Sequence, residues 1–127
     1  MELRNLQIYN LAIELGESVW QIVEKWEYYY KTSLDYQLVR SADSVATNIS
    51  EGFGRYHYKD KKNFGYYARG SLYETATWLE KAKNRNLIGE DISDDLNRKI
   101  KDLGIKLNNY ISVIGKNPSI EYQPNNN

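Results

Sequence analysis

The sequence predicts an all-α chain folded as an antiparallel up-down-up-down four-helix bundle. Three observations lead there. Apolar residues recur at alternating intervals of four and three through four successive stretches, the connections between the stretches are short, and no strand-like alternation competes. Successive helices joined by short loops must lie side by side and run in opposite directions.

In the first stretch Ile8, Ala12, Leu15, Val19, Ile22, Trp26 and Tyr29 fall on one face, which predicts a long helix over residues 5–31. Leu38, Ala42, Val45 and Ile49 predict a shorter second helix, ending near Gly52 and Gly54, residues that readily take the left-handed conformation closing a helix. Residues 55–58 read as a connection. Phe64, Ala68, Ser71 or Leu72, Thr75, Trp78 or Leu79, and Ala82 then carry a third helix to about residue 86. Leu87, Ile88 and Gly89 make the next turn, and Ile92, Leu96, Ile100, Leu103, Leu107, Tyr110 and Ile114 form the most regular stripe, a fourth helix. The bundle is expected to occupy residues 1–116, with the polar stretch 117–127, which contains Pro118 and Pro124, as a disordered tail. Gly16, Gly65, Gly70 and Gly104 lie inside these helices, each at a cost of about 1 kcal/mol relative to Ala, and close helix approach is the expected compensation.

With 127 residues, 41% of them hydrophobic, and no formal net charge, the chain fits one folded domain. Twelve tyrosines and three tryptophans are expected to supply much of the buried area. The absence of cysteine excludes a disulfide framework, a thiolate metal site and a thiol nucleophile. Acidic residues run through the apolar positions of the first twenty residues, so these are expected to be neither a signal peptide nor a membrane span, and a cytoplasmic location follows as the default.

The most distinctive window is 37–74, where two runs, 37–55 and 68–74, place small, polar and charged residues within the helical pattern. Gln37, Ser41, Ser44, Asn48 and Glu51 form a polar stripe beside the apolar one on the second helix. Ser and Asn are modest helix formers, and a solvated face more often uses Glu, Lys or Ala, so a buried or subunit-interface role is expected. Arg40 on the second helix, with Arg69 and Glu74 on the third, is expected to join a polar network between the two helices that also takes in Gln37, Ser44, Asn48, Glu51 and Ser71.

These residues carry a resemblance. Gln37 and Arg40, then Ser44, Asn48, Ile49, Glu51, Gly52, Gly54 and Arg55, and later Ala68, Arg69, Gly70, Ser71 and Glu74 match the motif of the 23S rRNA-intervening sequence proteins, also called S23 ribosomal proteins. The chain resembles that family over roughly residues 5–115, departing from it at Ser41, Asp43, Ala46 and Ser50. The resemblance implies a four-helix bundle assembled as a ring-like homo-oligomer, a pentamer. The architecture is also similar to that of accessory proteins of diversity-generating retroelements, which bind nucleic acid and reverse transcriptase.

Two functional classes follow. Residues 55–85 hold eight cations against three carboxylates, a net charge of +5, with tyrosines among them. Arg55, Tyr56, His57, Tyr58, Lys59, Lys61 and Lys62 therefore form a candidate nucleic-acid site, combining phosphate attraction with base stacking. The neutral whole chain counts against a dedicated nucleic-acid binder, and lysines beside a helix are ordinarily a solvated face. The alternative is an oligomeric scaffold binding a protein partner through Tyr28, Tyr29 and Tyr30 or through the polar stripe of the second helix. No enzyme is expected: His57 has no second histidine for a metal site, no P-loop or nucleophile motif occurs, and no cofactor is implied. The carboxylate pairs Glu90 with Asp91 and Asp94 with Asp95 suit the positive end of a helix dipole.

Overall fold

The computed structural model describes residues 1–27 and 33–116. After a 3₁₀ turn at Leu3–Asn5 come four helices: α1 (Gln7–Val23), α2 (Leu34–Phe53), α3 (Tyr58–Asn84) and α4 (Glu90–Val113). Each packs on the helix before and after it, and α4 closes on α1, so α1 lies diagonally across the bundle from α3. The arrangement is the four-helix bundle that the apolar spacing predicts. The polar tail 117–127 and the Tyr28, Tyr29, Tyr30 run lie outside the described residues.

The inner stripes are aliphatic. Ile8, Ala12, Leu15 and Val19 on α1 meet Leu38, Ala42, Val45 and Ile49 on α2, with Ala68, Leu72 and Leu79 on α3 and Leu96, Leu103 and Leu107 on α4. The expectation of an aromatic core is overturned. Among the described residues only Trp26 and Tyr110 are buried aromatics, while Tyr36, Tyr56, Tyr58, Tyr66, Tyr67 and Tyr73 are exposed. Leu, Ile and Val at every third or fourth place already fill most of the interior, and these six exposed tyrosines stand off those stripes.

Several boundaries shift from the sequence reading. α1 ends at Val23 rather than running through Trp26, although Trp26 remains buried. α2 ends without a left-handed residue: Gly54 is right-handed at φ −79°. Gly52 is inside α2, where a Cβ would stand 2.9 Å from Cβ of Phe64, so close approach of α3 explains it. The turn between α3 and α4 rests on Asn86 at φ 59°. There Leu87 N–H donates to the Ala82 carbonyl (2.9 Å) and Asn86 N–H to that of Lys83 (3.0 Å), the paired bonds of a Schellman cap. On α4 Ser93 takes the inner position and Ile92 is exposed.

The glycines separate into two kinds. At Gly16 a Cβ would lie 2.7 Å from Asp43 Oδ1, and at Gly65 it would lie 2.7 Å from Cγ1 of Ile111, so both mark close helix approach. Gly104 would make ordinary contact with Leu72, and at Gly70 none of the described residues comes within 4 Å. Among the described residues, close packing accounts for neither Gly70 nor Gly104.

Candidate nucleic-acid interface and the polar seam

The polar stripe of α2 faces α3. Ser41 and Thr75 are fully buried with hydroxyls 3.1 Å apart, Ser41 donating to the Leu38 carbonyl (3.1 Å) and Thr75 to that of Ser71 (2.8 Å). One turn along, Ser71 Oγ lies 3.0 Å from Ser44 Oγ, and Asn48 Nδ2 donates to the Ser44 carbonyl (2.9 Å). Local hydrogen bonds of this kind satisfy Ser and Thr hydroxyls inside a helix and leave small side chains at the contact, which lets α2 and α3 approach closely.

At the solvent edge of the seam Arg40 Nη2 reaches Glu74 Oε2 at 2.5 Å and Gln37 Oε1 at 3.4 Å. The same Glu74 oxygen accepts the indole N–H of Trp78 at 3.0 Å. Arg69 turns the other way, donating to Asn108 Oδ1 on α4 (3.2 Å) with its guanidinium 4.9 Å from the Tyr66 ring centroid. Glu51 pairs with Arg55 on the next turn at 3.6 Å. The seam thus gathers Gln37, Arg40, Ser44, Asn48, Ser71 and Glu74 and leaves Arg69 and Glu51 out. Ser41 and Thr75 are its buried centre, and the spacing of Ser41 on the stripe is the sequence signal for it.

The connection from α2 to α3 shapes one end of the bundle. Arg55 lies over the Phe64 ring at 4.7 Å, and His57, the residue before α3, meets Tyr56 edge to face with centroids 5.1 Å apart. Tyr56 is 89% exposed. Phe53, Arg55, Tyr56, His57 and Tyr58 border a cleft of about 430 Å³. Tyr58 backs onto Gly115. Lys59 is exposed and Lys62 half-buried. Lys61 departs from the set: it is 6% exposed, and its ammonium donates to the Phe53 carbonyl at 3.3 Å. It occupies an inner position of α3, and its charge sits at the negative end of the α2 dipole, a structural role.

A second surface, between α1 and α2, was not singled out from the sequence. Trp20 (51% exposed) and Tyr36 (65% exposed) line a groove of about 670 Å³ with Glu24, Val39, Asp43 and Thr47. Burial, and then the neighbouring Glu17 carboxylate, raises the Asp43 pKa above its ordinary value. Trp20 falls one place beyond the inner residue Val19, which was the available signal. Among the described residues no cluster of His, Asp and Glu could hold a metal ion, and no helix is long and apolar enough to cross a membrane.

The fold and the motif agree with what the chain resembles. A crystal structure of a protein with unknown function from the S23 ribosomal protein family of Bacteroides thetaiotaomicron superposes with a TM-score of 0.76 at 20% identity, covering 85% of this chain and 98% of that one. At that identity the likeness speaks for the fold. No curated protein matches the chain. The family profile of the 23S rRNA-intervening sequence protein matches residues 4–109, most of the chain, and the chain belongs to that family.

Proposed function

We propose that the protein is a non-catalytic, oligomeric bundle that binds single-stranded nucleic acid, RNA foremost, at the end formed by Arg55, Tyr56, His57, Tyr58, Lys59 and Lys62. The observation that carries this reading is Tyr56, 89% exposed and held beside His57 among cations. A tyrosine so exposed adds almost nothing to the core, whereas its free face offers a base a stacking platform worth about 1–3 kcal/mol. Arg55, Lys59 and Lys62 supply the phosphate attraction.

The neutral whole-chain charge is compatible with this, because local potential, not the sum, attracts a polyanion. Residues 55–85 carry eight cations against three carboxylates, while residues 7–24 and 34–53 carry six carboxylates against one arginine. The test is salt-dependent binding of a single-stranded RNA by the purified protein. Tyr56→Ala and the double variant Lys59→Glu, Lys62→Glu should each weaken binding at least fivefold. Binding equal to the wild type in both variants would remove this site.

The scaffold reading is favoured by one observation, the exposed Trp20 and Tyr36 of the α1/α2 groove, a surface suited to a protein partner. It becomes the better reading if the purified protein binds no nucleic acid at low salt.

A further inference from the structure

The cleft where α2 passes into α3 encloses about 430 Å³, near the lower end of the roughly 300–1,000 Å³ usual for small-molecule sites. It is sized for one small planar ligand rather than for a run of stacked bases. Apart from Met1, its lining is of two kinds: Phe53, Tyr56 and Tyr58 present rings, and Arg55, His57 and Lys61 present nitrogen donors. Among the described residues that line it, none is a carboxylate. The acids beside it in sequence, Glu51 and Asp60, stay outside, Glu51 pairing with Arg55 at 3.6 Å and Asp60 standing in the first turn of α3.

The walls are held from behind. Tyr58 packs on Gly115, whose φ of 83° favours glycine and where an added Cβ would stand 3.4 Å from the tyrosine ring. Phe53 is half-buried, and the Lys61 ammonium both donates to its carbonyl (3.3 Å) and lies 5.8 Å from its ring centroid. Arg55 is propped over Phe64 at 4.7 Å. Groups already fixed in this way lose little freedom when a ligand enters.

The mixture of rings and donors selects the ligand. A bare phosphate would engage the cation and leave the rings facing water, and a neutral aromatic would do the reverse. A nucleotide uses both. A base inside a duplex is stacked and paired, so only an unpaired nucleotide at a strand end, in a bulge or in a loop can enter.

We propose that the cleft is a one-nucleotide pocket, which takes a single unstacked nucleotide with its base against Tyr56 and Tyr58 and its phosphate toward Arg55. This rests on the proposed function and specifies which part of a strand the site grips. Lys59 and Lys62, outside the cleft, meet the flanking phosphates and add attraction that is indifferent to sequence. A free nucleoside monophosphate carries the same groups as the gripped nucleotide.

Anisotropy of a labelled oligouridylate on the full chain at low salt tests this by displacement. At matched ionic strength, uridine 5′-monophosphate should displace the strand at a concentration at least tenfold lower than inorganic phosphate does. Duplex RNA with one unpaired 3′ nucleotide should bind at least fivefold tighter than the blunt duplex. Tyr58→Ala, at a 42% exposed site, should keep its helicity by circular dichroism and lose the advantage of the nucleotide over phosphate, while Tyr58→Phe should retain it. Lys62→Glu should weaken the strand and leave that advantage unchanged. If wild type binds no oligouridylate, the proposed function fails and this inference with it. If wild type binds the strand but the nucleotide competes no better than phosphate, or the blunt duplex binds as tightly, strand binding stands and the one-nucleotide pocket is wrong. An advantage that survives in Tyr58→Ala would likewise overturn it.

Discussion

Arg40 on α2 and Glu74 on α3 meet at 2.5 Å, and the Glu74 oxygen that accepts from Arg40 also accepts the Trp78 indole N–H. One carboxylate thereby fixes the outer edge of the seam between the two helices and the rotamer of a tryptophan. Both partners of the ion pair are partly exposed, so its contribution is modest. A double-mutant cycle with Arg40→Ala and Glu74→Ala should give a coupling of about 0.5–1 kcal/mol by urea denaturation. Glu74→Ala alone should cost more than Arg40→Ala, since it also removes the acceptor of Trp78.

Beneath that pair the hydroxyls of Ser41 and Thr75 share a fully buried site. Thr75→Val should destabilise by about 1–2 kcal/mol, because the isosteric methyl abandons the Ser71 carbonyl and faces the Ser41 hydroxyl. Adding Ser41→Ala should cost less than it does alone, since the buried oxygen left facing a methyl is then gone. Sub-additive losses in denaturant midpoint are the readout.

The glycines should respond in opposite directions. Gly65→Ala drives a methyl into Ile111 in the interior and should cost about 1–3 kcal/mol. Gly70→Ala meets open space and should stabilise the isolated chain by up to about 1 kcal/mol. Thermal denaturation at one protein concentration distinguishes them.

Asp43 supplies a pH dependence with a definite sign. Its carboxyl pKa in the folded chain is raised above the reference value of 3.8, by burial first and by Glu17 second. The folded state therefore holds the Asp43 proton more tightly than the unfolded state. The stabilisation this gives is complete below 3.8 and is lost as pH rises through the folded-state pKa. Asp43→Asn should consequently raise Tm slightly at pH 7, and the gain should vanish on acidification below 3.8. A gain that persists unchanged at low pH would show that desolvated charge is not its cause.

Much of this was legible in the sequence, and the exceptions have physical reasons. The apolar spacing determines four helices and their inner faces, because aliphatic burial sets both. The same spacing extended backward from Ala68 passes through Gly65 and Lys61, so the inward place of Lys61 was available. A lysine on an inner face is easily read as surface because its carbonyl partner, Phe53, belongs to another helix. Arg69 and Glu74 are five residues apart, which at about 100° per residue puts them on different sides of α3, so only one can face α2. The helix ends were less legible. Gly54 invites a left-handed cap, but Asn86 is the residue that adopts one at the end of α3, where the Ala82 and Lys83 carbonyls need donors. The tyrosines misled most, since their area suits a core while, among the described residues, only Tyr110 takes an inner position.

Under the proposed function, single-stranded RNA lies on the Tyr56 end of the bundle. Photo-crosslinking of purified full-length protein to a uridine-rich RNA, followed by mass spectrometry of the crosslinked peptides, tests it most directly. Crosslinks confined to residues 55–62, lost at high salt and in Tyr56→Ala, are the expected result. Absence of crosslinks at low salt, or crosslinks that map to α1 or α4 instead, would contradict it.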